Sequence, residues 1–241
     1  MSKKIEGYRQ PAVIGDLDEE AARNQRVITL EQSVLEANDL VAARNRALFN
    51  EEGIHVLNLI SSPGAGKTSL LVETLWRLRG ELSCAVIEGD QQTAHDAQRI
   101  AETGTPVIQI NTRGGCHLNA AQVREALEHL PLKGLDLIFI ENVGNLVCPS
   151  SFDLGENEKT VIMSVTEGED KPVKYPQAFS LARLMVLTKV DLLPHLRFKR
   201  ELCKEFAYRT NPQIEIVEST VFEEKGLEPW LNALRRRVAF S

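Results

Sequence analysis

A short apolar run, Ile54–Ile60, leads directly into the octapeptide Ser-Ser-Pro-Gly-Ala-Gly-Lys-Thr at residues 61–68, and an amphipathic stretch follows it. Glycines at positions 64 and 66 let backbone amides turn towards an anion that side chains would keep away. The start of a helix adds the positive end of its dipole. The spacing is that of a phosphate-binding loop, with Ser61 where a glycine is usual. It restricts the fold to one in which this loop follows a buried strand.

The rest of the chain repeats the alternation of short apolar runs with amphipathic stretches. Continuous apolar runs of this length are typical of parallel strands that are covered on both faces. We therefore predict an α/β fold of the P-loop NTPase class, with a mainly parallel sheet and helices on both faces. The runs that follow the first are Cys84–Ile87, Val107–Ile110, Leu135–Ile140, Val161–Val165, Leu184–Leu187 and Ile214–Val217.

The N-terminal region has a different pattern. Residues 1–26 show no apolar periodicity, so we expect a flexible lead-in there. Apolar residues at helical spacing between Leu30 and Leu48 predict a helix. The expected organisation is a lead-in over 1–26 and a P-loop domain with an N-terminal helical extension over 27–241.

Composition excludes several classes of protein. No apolar run approaches the roughly 18–20 residues that span a bilayer, and the first ten residues lack the apolar core of a secretory signal. Four cysteines in 241 residues are too few for a disulfide scaffold. A net charge of −6 argues against a general nucleic-acid binder. We expect a cytoplasmic protein that binds neither membrane nor nucleic acid.

Residues 63–69 are expected to surround the phosphates of a nucleotide, with Lys67 reaching the β and γ phosphates and Thr68 holding Mg²⁺. Two carboxylates at strand ends, Asp90 and Glu141, suit the same Mg²⁺, although acidic residues also end strands as helix caps. Asp90 is the candidate for aligning the attacking water, and the Gly144 amide is the candidate for contacting the γ-phosphate. We take Lys67, Asp90 and Glu141 as candidate catalytic residues, and Thr68, Asp90 and Glu141 as candidate magnesium residues. The P-loop set comprises Pro63, Gly64, Ala65, Gly66, Lys67, Thr68 and Ser69.

A second motif, Thr188-Lys189-Val190-Asp191, follows a later apolar run and resembles the guanine-reading tetrapeptide of GTPases, with Thr188 in place of the usual Asn. Asp191 can accept two hydrogen bonds from guanine, a pairing that adenine does not offer. The stem of Lys189 can lie along the base plane. Backbone amides at Ser219 and Thr220 are weaker candidates for contacting the guanine oxygen.

Adjacent Cys116 and His117, with Cys148 further along the chain, form an incomplete metal-ligand set. Zn²⁺ usually takes four ligands and Ni²⁺ accepts square-planar nitrogen and sulfur donors, so a second copy of the chain could complete the set. Spacing alone favours the alternative, in which Cys116 and Cys148 are packing thiols and His117 caps a helix. The other two cysteines, Cys84 and Cys203, are expected in the core.

Taken together, five motifs resemble the HypB family of GTPases over about Val27 to the C-terminus. They are SSPGAGKT at 61–68, EGDQQT at 88–93, GGCHL at 114–118, ENVGNLVCP at 141–149 and TKVDLLP at 188–194. The Cys-Pro-His motif of the related urease GTPase UreG is absent. The resemblance does not extend to the N-terminal metal-binding motifs of some members, because residues 1–50 contain neither Cys nor His.

The resemblance implies a GTPase that serves nickel insertion into nickel–iron hydrogenase. It implies GTP, GDP and Mg²⁺ as ligands, GTP-dependent homodimerisation, and Ni²⁺ or Zn²⁺ held by Cys116, His117 and Cys148 at the dimer interface. It also implies a HypA-like partner and, directly or indirectly, the hydrogenase large subunit. Arg113 is a conceivable helper in hydrolysis. The alternatives are a P-loop kinase with Asp90 as its base and a non-catalytic metal buffer.

Overall fold

The computed structural model describes residues 15–90 and 95–239, with side chains described from Ser33 onward. The strands are β1 His55–Ser61, β2 Cys84–Asp90, β3 Val107–Asn111, β4 Leu137–Glu141, β5 Glu158–Ser164, β6 Ala182–Thr188 and β7 Glu215–Glu218. The helices are α1 Gly15–Glu52, α2 Lys67–Leu78, α3 His95–Ala101, α4 Ala120–Leu127, α5 Cys148–Ser151, α6 Lys171–Lys174, α7 Pro176–Leu181, α8 Arg200–Thr210 and α9 Glu228–Val238. A 3₁₀ helix spans Val190–His195.

The seven strands form one sheet in the order β3-β2-β4-β1-β5-β6-β7, and every pairing is parallel. All carboxyl ends therefore lie along one edge of the sheet. The first strand of the chain, β1, lies between β4 and β5, so the strand order reverses direction there. Ligands of such sheets bind outside the carboxyl ends near a reversal of this kind. The predicted P-loop NTPase fold is confirmed, and each apolar run contributes to a strand.

Apolar residues of the strands pack against helices on both faces. On one face, Leu57 and Leu59 pack in a cluster with Leu71 of α2 and Trp230 of α9. On the other face, the intervening Val56 belongs to a cluster with residues of α1 and α4. A third cluster places β5 and β6 against α7 and α8. Burial on both faces explains why these strands are continuously apolar rather than alternating.

The first helix begins at Gly15, before the position that apolar spacing indicates, so residues 15–26 are helical. Residues 1–14 lie outside the described part, and the flexibility of the lead-in stays a prediction. The buried face of this helix also differs from the one that the apolar residues between Leu30 and Leu48 indicate. Leu40 is 69% exposed, whereas Asn45 and Phe49 are fully buried. The amide nitrogen of Asn45 donates to two carbonyls of distant segments, which makes its burial possible.

Two compact units divide the chain after Ala37. The first, within its described residues, consists of the N-terminal part of α1. The second, residues 38–241, contains the rest of α1, the whole sheet and every site residue considered below. Within the described ranges, no helix is both long and apolar enough to cross a membrane.

Candidate functional site

The loop between β1 and α2 has the backbone of an anion-binding turn. Gly64 and Gly66 have φ angles of +76° and +93°, a region that residues with side chains rarely adopt. The left-handed Gly66 is the N-cap of α2, and the helix begins at Lys67. Backbone amides and the helix N-terminus are thereby presented to the same space, which favours a phosphate.

A cavity of about 530 Å³ lies over this loop at the carboxyl edge of the sheet. It brings together residues from β1, α2, β2, α3, β4, β6 and the segment after β7. Of the sequence-predicted nucleotide and magnesium residues, all but Asp191 line it: Pro63, Gly64, Ala65, Gly66, Lys67, Thr68, Ser69, Asp90, Glu141, Gly144, Lys189, Ser219 and Thr220.

Glu141, the last residue of β4, holds the two polar side chains that start α2. Its Oε1 atom lies 2.8 Å from Lys67 Nζ and accepts a hydrogen bond from Thr68 Oγ1 at 2.6 Å. The other carboxylate oxygen is buried and has no hydrogen-bond partner among the described residues. The Thr68 hydroxyl and a carboxylate with one unsatisfied buried oxygen form a donor set that suits Mg²⁺.

A second buried carboxylate, Glu88 of β2, lies directly across the ladder from Glu141. It also lines the cavity and is only 2% exposed. Burial raises its pKa to about 8, and the neighbouring charges of Glu141 and Asp90 add to the rise. Sequence reasoning gave Glu88 no role. The signal available was an acidic residue inside a buried strand, two positions before Asp90 and therefore on the same face.

An arginine that the sequence analysis overlooked also lines the cavity. Arg99 of α3 donates from Nη2 to Ser69 Oγ at 3.2 Å and pairs with Asp96. The arginine singled out from sequence, Arg113, does not line the cavity but belongs to a groove beside β3. Arg99, rather than Arg113, is the arginine placed near the phosphate position.

Gly144 lies against the P-loop, where there is little room for a side chain. A Cβ atom at this position would lie 3.3 Å from both Cα and Cγ of Pro63. The neighbouring Asn145 forms an isolated antiparallel bridge with Ser61. The segment after β4 is therefore in contact with the start of the P-loop.

The other end of the cavity carries the guanine-reading motif. Thr188 Oγ1 donates to the Ala65 carbonyl at 2.7 Å, and Lys189 Nζ donates to the Gly64 carbonyl at 2.8 Å. Lys189 has a φ of +60°, which is uncommon for a residue with a side chain and marks a constrained turn. These bonds fasten the motif to the P-loop.

Asp191 is half-buried, does not line the cavity and accepts a short hydrogen bond from Thr220 Oγ1. The role predicted for the amides of Ser219 and Thr220 needs correction, because they already donate to the carbonyls of Leu187 and Gly226. The Thr220 hydroxyl, rather than its amide, connects this segment to the guanine-reading motif.

The candidate metal ligands Cys116, His117 and Cys148 meet outside the cavity, and one ligand atom from each lies within 4.8 Å of the others. A hydrogen bond to Cys148 and burial raise the pKa of the Cys116 thiol. Burial lowers the pKa of His117, which favours the neutral imidazole that binds metals. The His117 ring stacks on Phe152 with centroids 3.9 Å apart, so its orientation is fixed.

The other two cysteines lie apart from this cluster. Cys203 is fully buried in the third apolar cluster, and Cys84 starts β2, at the opposite edge of the sheet. Burial raises the pKa of each thiol to about 12. The expected core position is confirmed for Cys203, whereas Cys84 is only partly buried against the first apolar cluster.

Comparison with known proteins agrees with this arrangement. Residues 55–218 match the family model described as the CobW/HypB/UreG nucleotide-binding domain. The chain is 55% identical over 210 residues to hydrogenase maturation factor HypB of Escherichia coli K12, covering 87% of this chain and 72% of that protein. It is 52% identical over 242 residues to the HypB of Rhizobium leguminosarum, covering 98% and 78% of the two chains.

Among solved structures, the chain resembles HypB from Helicobacter pylori in complex with nickel. The TM-score is 0.81 at 37% identity, with 85% of this chain and 96% of that chain covered. The fold, the cavity and the cysteine–histidine cluster therefore occur in a chain with close relatives among proteins of hydrogenase maturation.

Proposed function

This chain belongs to the HypB hydrogenase maturation factors of the CobW/HypB/UreG family, and we propose that it is a GTP-hydrolysing nickel chaperone for nickel–iron hydrogenase. One observation carries the proposal. The segment after β4 leads from one candidate site to the other: Asn145 bridges Ser61, which lines the P-loop cavity, and Cys148, three residues further on, belongs to the cysteine–histidine cluster. A segment that links a nucleotide site to a soft-metal site suits a protein whose nucleotide state governs a metal.

The nucleotide is GTP. Asp191 would accept hydrogen bonds from guanine, and the Thr220 hydroxyl holds the Asp191 carboxylate in place. The Lys189 side chain passes over Gly66, with its Cε 3.6 Å from a Cβ built there. From there its apolar stem would lie along the base, beyond the phosphates. Adenine presents neither of the donors that Asp191 requires.

Hydrolysis depends on charge at the phosphate end of the cavity. Lys67 lines the cavity, so its ammonium group would leave the ion pair with Glu141 and contact the β and γ phosphates instead. Thr68, Asp90 and Glu141 would hold Mg²⁺, which neutralises charge on the phosphates when bound. Asp90 would orient the attacking water, and Arg99 would add a positive charge from α3.

The metal is the cargo of the protein, and Cys116, His117 and Cys148 would bind it. Thiolate and imidazole ligands suit Ni²⁺ and Zn²⁺. Three ligands leave either metal short of four, and ligands from the same set in a second copy across a two-fold axis would supply what is missing. Val147, adjacent to Cys148, is 56% exposed and supplies apolar surface for such a contact. GTP would favour this dimer.

Partners follow from the same role. A HypA-like nickel and zinc protein would exchange metal with the cluster, and the hydrogenase large subunit would receive it directly or indirectly. We place this work in the cytoplasm, where the four free thiols stay reduced.

A panel of nucleotides tests the enzymatic part of the proposal. Purified protein with Mg²⁺ should hydrolyse GTP in preference to ATP, and Lys67→Ala should remove the activity. Preference for ATP, with phosphate transferred to an added small molecule, would instead support a P-loop kinase. Metal binding without any turnover that depends on Lys67 would indicate a metal buffer.

A further inference from the structure

Two buried asparagines, Asn58 and Asn142, are hydrogen-bonded to each other through their side chains, between the nucleotide cavity and the metal ligands. Asn142, immediately after β4, donates from Nδ2 to Oδ1 of Asn58 in β1 at 3.2 Å. Both residues have no solvent exposure. Buried amides are costly unless they are hydrogen-bonded, so this asparagine pair is held in one arrangement.

Asn142 holds the segment that carries two of the metal ligands. Its Oδ1 atom accepts hydrogen bonds from the backbone amides of Leu118 at 3.1 Å and Val143 at 3.0 Å. Leu118 comes directly after Cys116 and His117 in the chain. Any movement of the Asn142 side chain therefore acts on the backbone next to these ligands.

The side chain of Leu118 is held as well. A Cβ atom built on Gly89 would lie 2.7 Å from Leu118 Cγ, so leucine occupies the space above this glycine. Gly89 immediately precedes Asp90, which lines the nucleotide cavity. Leu118 is thus fixed between the ends of β2 and β4, the two strands that carry Asp90 and Glu141.

Asn58 holds the segment that follows the third ligand, Cys148. Its Nδ2 atom donates to Glu156 Oε1 at 3.1 Å, and Glu156 Oε2 accepts from the Leu154 amide at 2.6 Å. Glu156 also forms an ion pair with Lys159. The asparagine pair is thereby bonded to the segment after His117 and to the segment that follows Cys148.

The contacts beyond Glu156 lead through Lys159 back to the metal cluster itself. Lys159 Nζ donates to the Phe152 carbonyl at 3.0 Å, and the Phe152 ring is the one stacked on His117. The polar network therefore reaches His117 from two directions, through Leu118 and through Phe152.

We propose that the asparagine pair transmits the nucleotide state to the metal cluster, with Asn142 as the positioning residue. This inference rests on the proposed control of metal binding by nucleotide. Asn142 adjoins Glu141, which changes partners when Lys67 turns to phosphate, and Asn58 lies three residues before Ser61 on β1. A packed, fully bonded network moves between discrete arrangements, so a change at Glu141 repositions Leu118 and the ligands before it.

The test compares nickel affinity in two nucleotide states. The Ni²⁺ dissociation constant of the full chain is measured by competition with a chromophoric chelator, in saturating GDP and in a saturating non-hydrolysable GTP analogue. We expect the two constants of the wild-type protein to differ by about tenfold. In Asn142→Ala they should agree within about twofold, whatever the absolute affinity, because allosteric coupling is a ratio.

Asn142→Asp separates coupling from stability. A protonated aspartic acid at this buried position keeps an acceptor for the Leu118 amide and a donor for Asn58, so the ratio should return even if the protein melts earlier. Asn211→Ala is the matched control, because it removes an amide that donates to the carbonyls of Phe179 and Ala182 away from the site. Its ratio should equal that of the wild type.

Hydrogen exchange at the Leu118 amide tests the inference without any substitution. Its protection should differ between the GDP and analogue states by more than about tenfold if Asn142 moves. A wild-type ratio near one would overturn the proposed nucleotide control as well as this inference. A clear wild-type ratio that persists in Asn142→Ala, or equal Leu118 protection in the two states, would overturn the role of the asparagine pair alone.

Discussion

Lys67 Nζ lies 2.8 Å from Glu141 Oε1, and the two side chains are only 11% and 2% exposed. The lysine of the P-loop is therefore paired with the carboxylate of β4. If Lys67 contacts phosphate as proposed, the phosphate must replace Glu141 as its partner.

Lys67→Ala should weaken GTP binding by at least about 100-fold, because each charge-assisted hydrogen bond to phosphate contributes roughly 1.5–3 kcal/mol. It should also lower the free energy of unfolding by about 3 kcal/mol, since Glu141 is left buried and uncompensated, yet the domain should still fold. Titration with a fluorescent GTP analogue and chemical denaturation measure the two effects. The double variant Lys67→Ala/Glu141→Gln should regain stability but not binding. Recovery of GTP binding in the double variant would contradict the role of Lys67.

Asp191→Asn should weaken GTP binding by about 100-fold, since asparagine keeps only one of the two oxygen acceptors, loses the negative charge and turns an NH2 group towards a guanine donor. The affinity for xanthosine triphosphate should rise relative to that for GTP, because the asparagine amide can donate to the carbonyl that xanthine carries in place of the guanine amino group. Competition titrations give the ratio of the two dissociation constants. An unchanged preference for GTP over xanthosine triphosphate would show that Asp191 does not read the base.

Glu88→Gln should become more stable than the wild type as the pH rises. The native state keeps the Glu88 proton up to a pKa of about 8, whereas the ordinary value is 4.5. Unfolding therefore releases a proton between these values, and wild-type stability falls as the pH rises through this window. The difference in the free energy of unfolding should grow by about 2 kcal/mol between pH 6 and pH 8.

Denaturant titrations of the nucleotide-free proteins at both pH values measure this difference. Glu128→Gln, at an exposed position of the C-cap of α4, supplies the control and should show no such growth. A constant difference between Glu88→Gln and the wild type would mean that Glu88 is ionised in the native state.

Cys116→Ala should remove metal binding at the cluster and leave GTP binding in metal-free buffer within about twofold of the wild type. The thiol lies outside the nucleotide cavity, so the two sites separate at this residue. Cys84→Ala, which removes the thiol at the start of β2, should leave metal binding intact. Ni²⁺ titration monitored by thiolate charge-transfer absorption distinguishes the variants. Full metal binding by Cys116→Ala would exclude the cluster as the site.

The sheet and the P-loop were predictable because they depend on local sequence. Strands that are buried on both faces are continuously apolar, and a loop that must bind phosphate needs its glycines and lysine in fixed order. The Thr188–Asp191 motif and the Cys116, His117 and Cys148 set were singled out in the same way, and their binding of guanine and of metal stays a prediction. That they lie at the same edge of the sheet follows from the rule that carboxyl ends of parallel strands share one edge.

What could not be predicted depends on partners that are distant in the sequence. Asn45 is buried in α1 because carbonyls of two other segments accept its hydrogen bonds, so the buried face of this helix is partly polar. The pKa of Glu88 is raised partly by Glu141, its neighbour in the sheet and 53 positions away in sequence. The asparagine pair likewise connects β1 with the residue after β4, and although Asn142 lies in the motif at 141–149, nothing in the sequence pairs it with Asn58.

The central claim, that nucleotide state controls both assembly and metal binding, has one direct test. Ni²⁺ is titrated into the full chain while light scattering after size exclusion reports its mass, once with GDP and once with a non-hydrolysable GTP analogue, both with Mg²⁺. We predict a dimer in the analogue state that binds one Ni²⁺ per two chains, with an affinity different from that of the GDP state. Equal mass and equal nickel affinity in the two states would contradict the account.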